Sequence, residues 1–216
     1  MEKVVFADIG CISYRKAWDF QHALMDEVIG LKQERRKAIR EGREADLLDD
    51  ERKHFLLFCE HSPVFTLGKS GSAEHLLLAS GALEGLGFEF FKINRGGDIT
   101  YHGPGQLVAY PIFDLDGFFT DVHKYVRYLE EVVIRTLSEY GLEGLRHEGY
   151  TGVWLAATDG KPMRKICAIG VHLSRWVTMH GFAFNVNTNL YHFEFIVPCG
   201  IADPDKAVTS LQAELG

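Results

Sequence analysis

The sequence predicts an α+β protein built on a mixed, largely antiparallel central sheet with helices around it. Three observations carry this. Strand-like runs follow one another through short turns, among them Thr158-Asp159-Gly160-Lys161, and Asp-Gly is a strong hairpin signal. Helical stretches are few and irregularly placed, unlike the strand–helix alternation of a doubly wound parallel sheet. The chain of 216 residues contains neither an internal repeat nor a low-complexity linker, so residues 1–216 are expected to form one domain.

The elements follow in chain order. Residues 3–9 read as a short strand. Residues 16–31 read as an amphipathic helix, because Ala17, Phe20, Leu24, Val28 and Leu31 recur at helical spacing. Most of residues 31–54 are charged, with signs that nearly cancel. This reads as a surface insertion, either a solvated helical extension or a loop. Strands are expected at 55–59 and 64–67, split by His61-Ser62-Pro63, and again at about 88–93 and 107–113. Residues 121–140 give the clearest helix, with Val122, Val126, Leu129, Val133, Thr136, Leu137 and Tyr140 on one stripe and Gly141 as its stop. Residues 152–157, 165–173 and 176–185 read as further strands. A Pro-Cys-Gly turn at 198–200 and a short helical segment follow.

Composition excludes some classes of function. The net charge of −7 argues against nonspecific nucleic-acid binding. No run has the apolar length of a membrane helix, and the N-terminus lacks a secretory signal pattern, so a cytoplasmic protein is expected. The four cysteines, Cys11, Cys59, Cys167 and Cys199, form no C-x-x-C pair. Neither disulfides nor a metal site is expected from them.

The most informative stretch is Arg95-Gly96-Gly97-Asp98-Ile99-Thr100-Tyr101-His102-Gly103-Pro104-Gly105-Gln106. Glycine lets a backbone approach a ligand closely, so this run reads as a binding surface; an ordinary hairpin connection is the plain alternative. Cys199 stands between Pro198 and Gly200, where a sharp turn can present its sulfur to a cleft. A free cysteine more commonly packs as a small buried hydrophobe. A reactive thiol needs a nearby base or positive charge, and Lys165, His102, His172 and His180 are the candidates. Lys165 opens an apolar strand. On pattern alone it is either a lysine whose head reaches solvent or one retained for chemistry.

Taken together, RGGDITYHGPGQLVAYPI, RKICAIGV, HGFAFNV and IVPCGI followed by AVTSL appear in the order seen in the lipoyl(octanoyl) transferase family, and HSPVFTLGKSG resembles it as well. The resemblance covers most of residues 55–212. It implies a fold like that of the biotin and lipoate protein ligases. It also implies transfer of an octanoyl group from acyl carrier protein to a lysine on lipoyl domains of 2-oxoacid dehydrogenase subunits or on the glycine-cleavage H protein, with no cofactor. Carried over by motif, Cys199 would accept the acyl group and Lys165 would activate it. The acyl pocket would be lined by Arg95, Gly96, Gly97, Asp98, Ile99, Thr100, Tyr101 and His102, by Ala168, Ile169 and Gly170, and by Gly181, Phe182 and Ala183.

The sequence departs from the family's pattern in three places. Cys167 stands where a small residue such as alanine is expected; strand alternation would put it on the same face as Lys165, although packing is the favoured reading. The charged stretch at 31–54 looks long. The chain stops at Gly216, where family members generally continue with helical sequence. Three other functions compete: an ATP-dependent lipoate or biotin ligase on the same fold, a lipoyl amidotransferase, and a binding module without turnover. Docking of an acidic carrier protein is expected to use a local basic cluster drawn from Lys69, Lys161, Arg164 and Arg175.

Overall fold

The computed structural model describes residues 2–43, 52–158, 160–201, 203 and 205–216. Strand β1 (Val5–Ile12) leads into helix α1 (Tyr14–Arg40). After the charged segment come β2 (Phe55–His61) and β3 (Val64–Leu67), then α2 (Ser80–Gly85), β4 (Glu89–Lys92), β5 (Ile99–His102) and β6 (Gln106–Ile112). Helix α3 (Val122–Glu139) follows, then β7 (Gly144–His147), β8 (Tyr150–Leu155), β9 (Met163–Ser174) and β10 (Val177–Asn185). The chain closes with β11 (Lys206–Val208) and α4 (Leu211–Leu215).

The main sheet has the strand order β1-β2-β6-β10-β9-β8-β7, with β11 added alongside β9. Only the β1–β2 and β11–β9 pairs are parallel. The other pairs are antiparallel, as the hairpin-rich pattern predicts. A second, smaller sheet, β4-β3-β5, stands beside it. Two of its strands, β3 and β4, were expected from the sequence, but β5 was not, because it lies inside the glycine-rich run. Residues Ile99 and Thr100 extend that run into β5, which pairs with β3 through Phe65 and Tyr101.

Alternation of side chains across the strands divides the core in two. Val108, Tyr110 and Ile112 of β6 and Val177 and Met179 of β10 pack with Ala17, Leu24 and Val28 of α1. Ala109, Phe182 and Phe184 face the opposite way and pack with Leu129, Val133 and Leu137 of α3. Each helix therefore covers one face of the sheet; Ala17, Leu24 and Val28 on α1 and Leu129, Val133 and Leu137 on α3 are buried as expected, whereas Phe20 and Tyr140, read onto the same stripes, are exposed. Helix α3 starts at Asp121, whose carboxylate accepts the Lys124 N–H at 3.0 Å. It ends before Gly141, which takes a φ of 73°.

The charged stretch is partly described. Residues 31–40 continue α1, and 44–51 lie outside the described residues. One of its charges is not solvated. Lys32 is buried and donates to Asp114 at 2.6 Å and to the Arg175 carbonyl at 2.7 Å. This ties the helix to the turn after β6. Thr158 and Lys161 exchange backbone hydrogen bonds of 3.0 Å across the expected β8–β9 turn.

Alternation fails at one functional position. In the β8–β9 ladder Val153 pairs with Cys167, but the next residue, Trp154, pairs with Lys165. The extra residue on β9 is a bulge. It turns Cys167 into the α3-side core, fully buried, whereas Lys165 lines a cleft on the other side. The expectation that both share one face is therefore incorrect, and packing is the role of Cys167.

Candidate active site

A cleft of about 550 Å3 opens where β9 and β10 meet the turn that carries Cys199. Its walls combine Lys165 and Ala168 of β9, Ala183 and Asn185 of β10, and Leu190 and Phe193 of a 3-10 turn spanning Leu190–Phe195. Within it, Lys165 Nζ donates to Cys199 Sγ at 3.3 Å. Residues 34 apart in sequence thus meet in hydrogen-bond contact.

Lys165 is 7% exposed, so the reading of a lysine whose head reaches solvent does not hold. Two features let the strand bury a cation there. Its ammonium lies 4.8 Å from the centre of the Trp154 ring, a cation–π geometry. Its stem passes Gly152, where a Cβ would stand 3.5 Å from Lys165 Cε and only 2.5 Å from the Cys167 carbonyl oxygen. Gly152 also has a φ of 119°, which side chains rarely adopt. Its N–H donates to the buried Glu130 at 3.1 Å.

Cys199 occupies a 3-10 turn, Pro198–Gly200, in the left-handed conformation (φ 57°, ψ 19°). It is the half-buried thiol among four free ones. Burial pushes the Cys59 thiol up to about 12, with Asp8 adding in the same direction. Burial also raises Cys167, outweighing the nearby Lys165. Those two sulfurs are held as neutral thiols in the core, while Cys11 is exposed on β1. Cys199 combines access to a cleft with an adjacent ammonium.

The residues expected to line the acyl pocket separate into three groups. Thr100, Ala168 and Ala183 line the main cleft. They also border a narrow inner cavity of about 30 Å3, together with Arg95, His102, Ile169, Gly170, Gly181 and Phe182. Gly96, Gly97, Asp98, Ile99 and Tyr101 line neither. For Ile99 and Tyr101 the cause is strand alternation. They point from β5 into a separate apolar cluster with Phe65, Leu67 and Phe193, whereas Thr100 and His102 point toward the cavity. Gly97 instead packs against the β3 end, where a Cβ on Gly68 would meet the Gly97 oxygen at 2.2 Å.

The inner cavity is walled by polar groups that are mostly bonded to the protein, although the buried Arg95 Nε has no partner among the described residues. Arg95 donates to the carbonyls of Gly96, Thr66 and Asp98 at 2.8, 3.2 and 2.7 Å. Burial lowers its guanidinium, partly offset by Tyr14 and Cys199. His102 is fully enclosed, and burial brings its imidazole down to about 3, with His61 acting the same way. His180, bonded to Asn94 at 3.0 Å, is also lowered by burial and then by Arg95. His102 and His180 are therefore neutral in the fold, and neither contacts Cys199. His172 lies in a separate surface groove with Lys69 and Lys92. Of the partners considered for the thiol, Lys165 is the one in contact.

Sequence reasoning missed several wall residues. Trp154 supports Lys165 from below. Gln106 and Asn185 form a buried amide pair at 2.9 Å on the cleft wall. Gln106 receives His102 Nδ1 at 2.8 Å, and Asn185 donates to the Thr209 carbonyl at 2.9 Å. Gln106 closes the glycine-rich run, which was the available signal; the others are brought in by pairing between distant strands. Arg164 does not serve as a docking cation. It is buried and paired with Glu214 through two bonds of 2.6 and 2.7 Å. Among the described residues no three His, Cys, Asp or Glu side chains converge to hold a metal, and no helix is long and apolar enough to cross a membrane.

The family profile of the lipoyl protein ligase A/B catalytic domain matches residues 13–216. The chain belongs to that family. Members similar to it include the octanoyltransferase of Cytophaga hutchinsonii, 52% identical over 99% of this chain and 84% of that protein. The octanoyltransferase of Flavobacterium johnsoniae is 54% identical over 100% of this chain and 88% of its own length. Solved structures of the family share the fold at low identity. The bi-partite lipoate protein ligase of Thermoplasma acidophilum superposes with a TM-score of 0.61 at 16% identity, covering 94% of this chain and 68% of that one. A lipoate-protein ligase A bound with ATP gives 0.59, again at 16% identity, covering 92% and 72%. The biotin and lipoate ligase-like architecture is thus the fold of this family member.

Proposed function

We propose that this family member is an octanoyltransferase that works through a cysteine thioester, with Cys199 as acyl acceptor and Lys165 as its proton partner. The observation that carries the reading is the 3.3 Å contact between Lys165 Nζ and Cys199 Sγ inside an open cleft. The activity itself is that of its full-length relatives at 52% and 54% identity. The donor is an octanoyl acyl carrier protein. The acceptors are lysines of lipoyl domains, on 2-oxoacid dehydrogenase subunits and the glycine-cleavage H protein. Residues 1–216 act as one acyltransferase domain, and 31–54 is an insertion on its surface.

The steps use these residues in turn. Cys199 attacks the donor carbonyl as a thiolate, with the Lys165 ammonium as counter-ion. The carbon–sulfur bond to the carrier breaks, and the departing thiolate takes a proton from Lys165. One thioester has replaced another, so this step is nearly balanced. The acceptor's amine then attacks the Cys199 thioester. Its surplus proton passes to Lys165, now neutral, and the Cys199 thiolate leaves. Conversion of a thioester to an amide drives this step. Thr100, Ala168 and Ala183 lead from the sulfur to the inner cavity, and each buried methylene of the chain gains about 0.8 kcal/mol.

The test is intact-protein mass spectrometry after mixing with octanoyl carrier protein, followed by peptide mapping. A mass gain of one octanoyl group on the peptide containing Cys199, absent in Cys199→Ser, supports the reading. An unmodified Cys199 with turnover that requires ATP and octanoic acid would identify a ligase instead. Turnover only from an octanoylated H protein would identify an amidotransferase.

A further inference from the structure

Cys199 sits in a backbone conformation that a side chain disfavours. The turn's own bonds are Gly200 N–H to the Val197 carbonyl at 2.9 Å and Ile201 N–H to the Pro198 carbonyl at 3.0 Å. They close the turn but do not fix its place in the fold. Two other segments do.

The first is the short 3-10 turn Ala73–His75 and the residues after it. Val197 N–H donates to the His75 carbonyl at 2.7 Å, and Leu77 N–H donates to the Phe195 carbonyl at 2.9 Å. The second is the glycine-rich run. Asp98 Oδ2 lies 2.6 Å, and His75 Cε1 3.1 Å, from the point where a Cβ on Gly200 would stand. Both side chains therefore press on the residue next to the nucleophile. They are also joined to each other, since His75 Nδ1–H donates to Asp98 Oδ2 at 2.7 Å. Asp98 Oδ1 accepts the Ile99 N–H at 2.6 Å, and the Asp98 carbonyl accepts from Arg95 at 2.7 Å. Both carboxylate oxygens are engaged, so the wall against Gly200 is fixed.

Neither His75 nor Asp98 lines the cleft that holds the sulfur. They act on it through Gly200. We propose that the His75–Asp98 pair is a positioning clamp that holds the Cys199 turn where Sγ meets Lys165. This rests on the reading of Cys199 as the acyl acceptor. The other charged groups of the cleft are Lys165 on β9, Lys206 on β11 and Glu194 on the turn before Cys199.

The experiment compares wild type, Asp98→Ala and Asp98→Asn as full-length chains. Alkylation of Cys199 by iodoacetamide is followed against pH with peptide mapping, beside single-turnover acylation by octanoyl carrier protein. In Asp98→Ala the sulfur loses its fixed place by Lys165, and alkylation of Cys199 at neutral pH slows by about tenfold. Acylation slows by about 10²-fold, as small misplacements do, while KM stays within about twofold. Asp98→Asn keeps the bond from the Ile99 N–H on its oxygen, and its amide N–H can donate to His75 Nδ1 in the other imidazole tautomer, so it behaves like wild type. Should Asp98→Ala fail to fold, His75→Phe removes the donor while keeping a ring, and the same shifts are expected. A folded Asp98→Ala or His75→Phe with the wild-type alkylation profile and acylation rate overturns the clamp. Absence of acyl adduct on Cys199 in the wild type overturns the proposed nucleophile instead, and the alkylation series still decides the clamp.

Discussion

Lowering the pH from about 7.5 to about 5 is expected to cost this protein stability through its buried histidines. His102 is the clearest case. The Gln106 carboxamide nitrogen is committed to the Tyr101 carbonyl and to Asn185 at 3.1 and 2.9 Å, so its oxygen faces His102 Nδ1 at 2.8 Å. Nδ1 therefore donates, and Nε2 is left to accept from the Thr66 hydroxyl at 3.3 Å. A second ring proton would put a charge in the core beside His61 with no carboxylate bonded to it, and burial holds the folded imidazole at about 3. The unfolded chain takes up its proton near pH 6.5. Because the folded value is depressed, the stability is fully present above pH 6.5 and is lost as pH falls from there toward about 3. Linkage gives a loss of about 2 kcal/mol at pH 5 from His102 alone. His61, lowered by burial against the opposing Ile12 carbonyl, and His180 add to it in the same direction. Urea unfolding at the two pH values measures the loss, with unchanged slopes showing that the same transition is compared. In His102→Gln the loss between the two pH values is smaller by about 2 kcal/mol. Equal losses in the variant and the wild type would refute the argument that His102 is held neutral.

Three further predictions follow from the same geometry. Gly152→Ala places a methyl 2.5 Å from the Cys167 oxygen at a φ of 119°; it is expected to cost about 2 kcal/mol or more by urea unfolding, and to slow acylation by displacing Lys165. Glu214 is held down to about 2, first by its bond to Arg164. Its contribution is present above about pH 4.5 and disappears as pH falls toward about 2, so the gap in thermal midpoint between wild type and Glu214→Gln closes on acidification. Lys32→Met leaves Asp114 buried without its ammonium, and chemical denaturation should show a loss of about 3–5 kcal/mol; a loss below about 1 kcal/mol would mean that Arg52, 3.9 Å away, already suffices.

Long amphipathic elements were legible because their information is local. The stripe on α3 and the apolar positions of α1 repeat at the helical period, and the middle of each stripe, Ala17, Leu24 and Val28 on α1 and Leu129, Val133 and Leu137 on α3, is buried. The chief strands were also legible as β-branched and aromatic runs broken by turn residues. The short elements β5, β7 and β11 were not: β5 and β11 are three or four residues that exist by pairing with distant strands, and β7 lacks the unbroken apolar run that marked the equally short β3. The same limit applies to the site. Motif resemblance named Cys199 and Lys165, but pattern alone left one as packing and the other as surface. Alternation within β5 and the bulge in β9 then decided which neighbours face the cleft. Gly96 and Asp98 support the walls, and Ile99 and Tyr101 fill a separate core.

Taken alone, the sequence determined the class of fold, the family it resembles and the candidate chemistry, because those depend on residue types, their local spacing and their order along the chain. Tertiary structure decided what each candidate touches. It closed the 34-residue gap between Lys165 and Cys199 to 3.3 Å, and it set His75 and Asp98 against the turn between them. Such contacts depend on strand register and on a single-residue bulge, and a one-residue change in register sends every side chain to the opposite face.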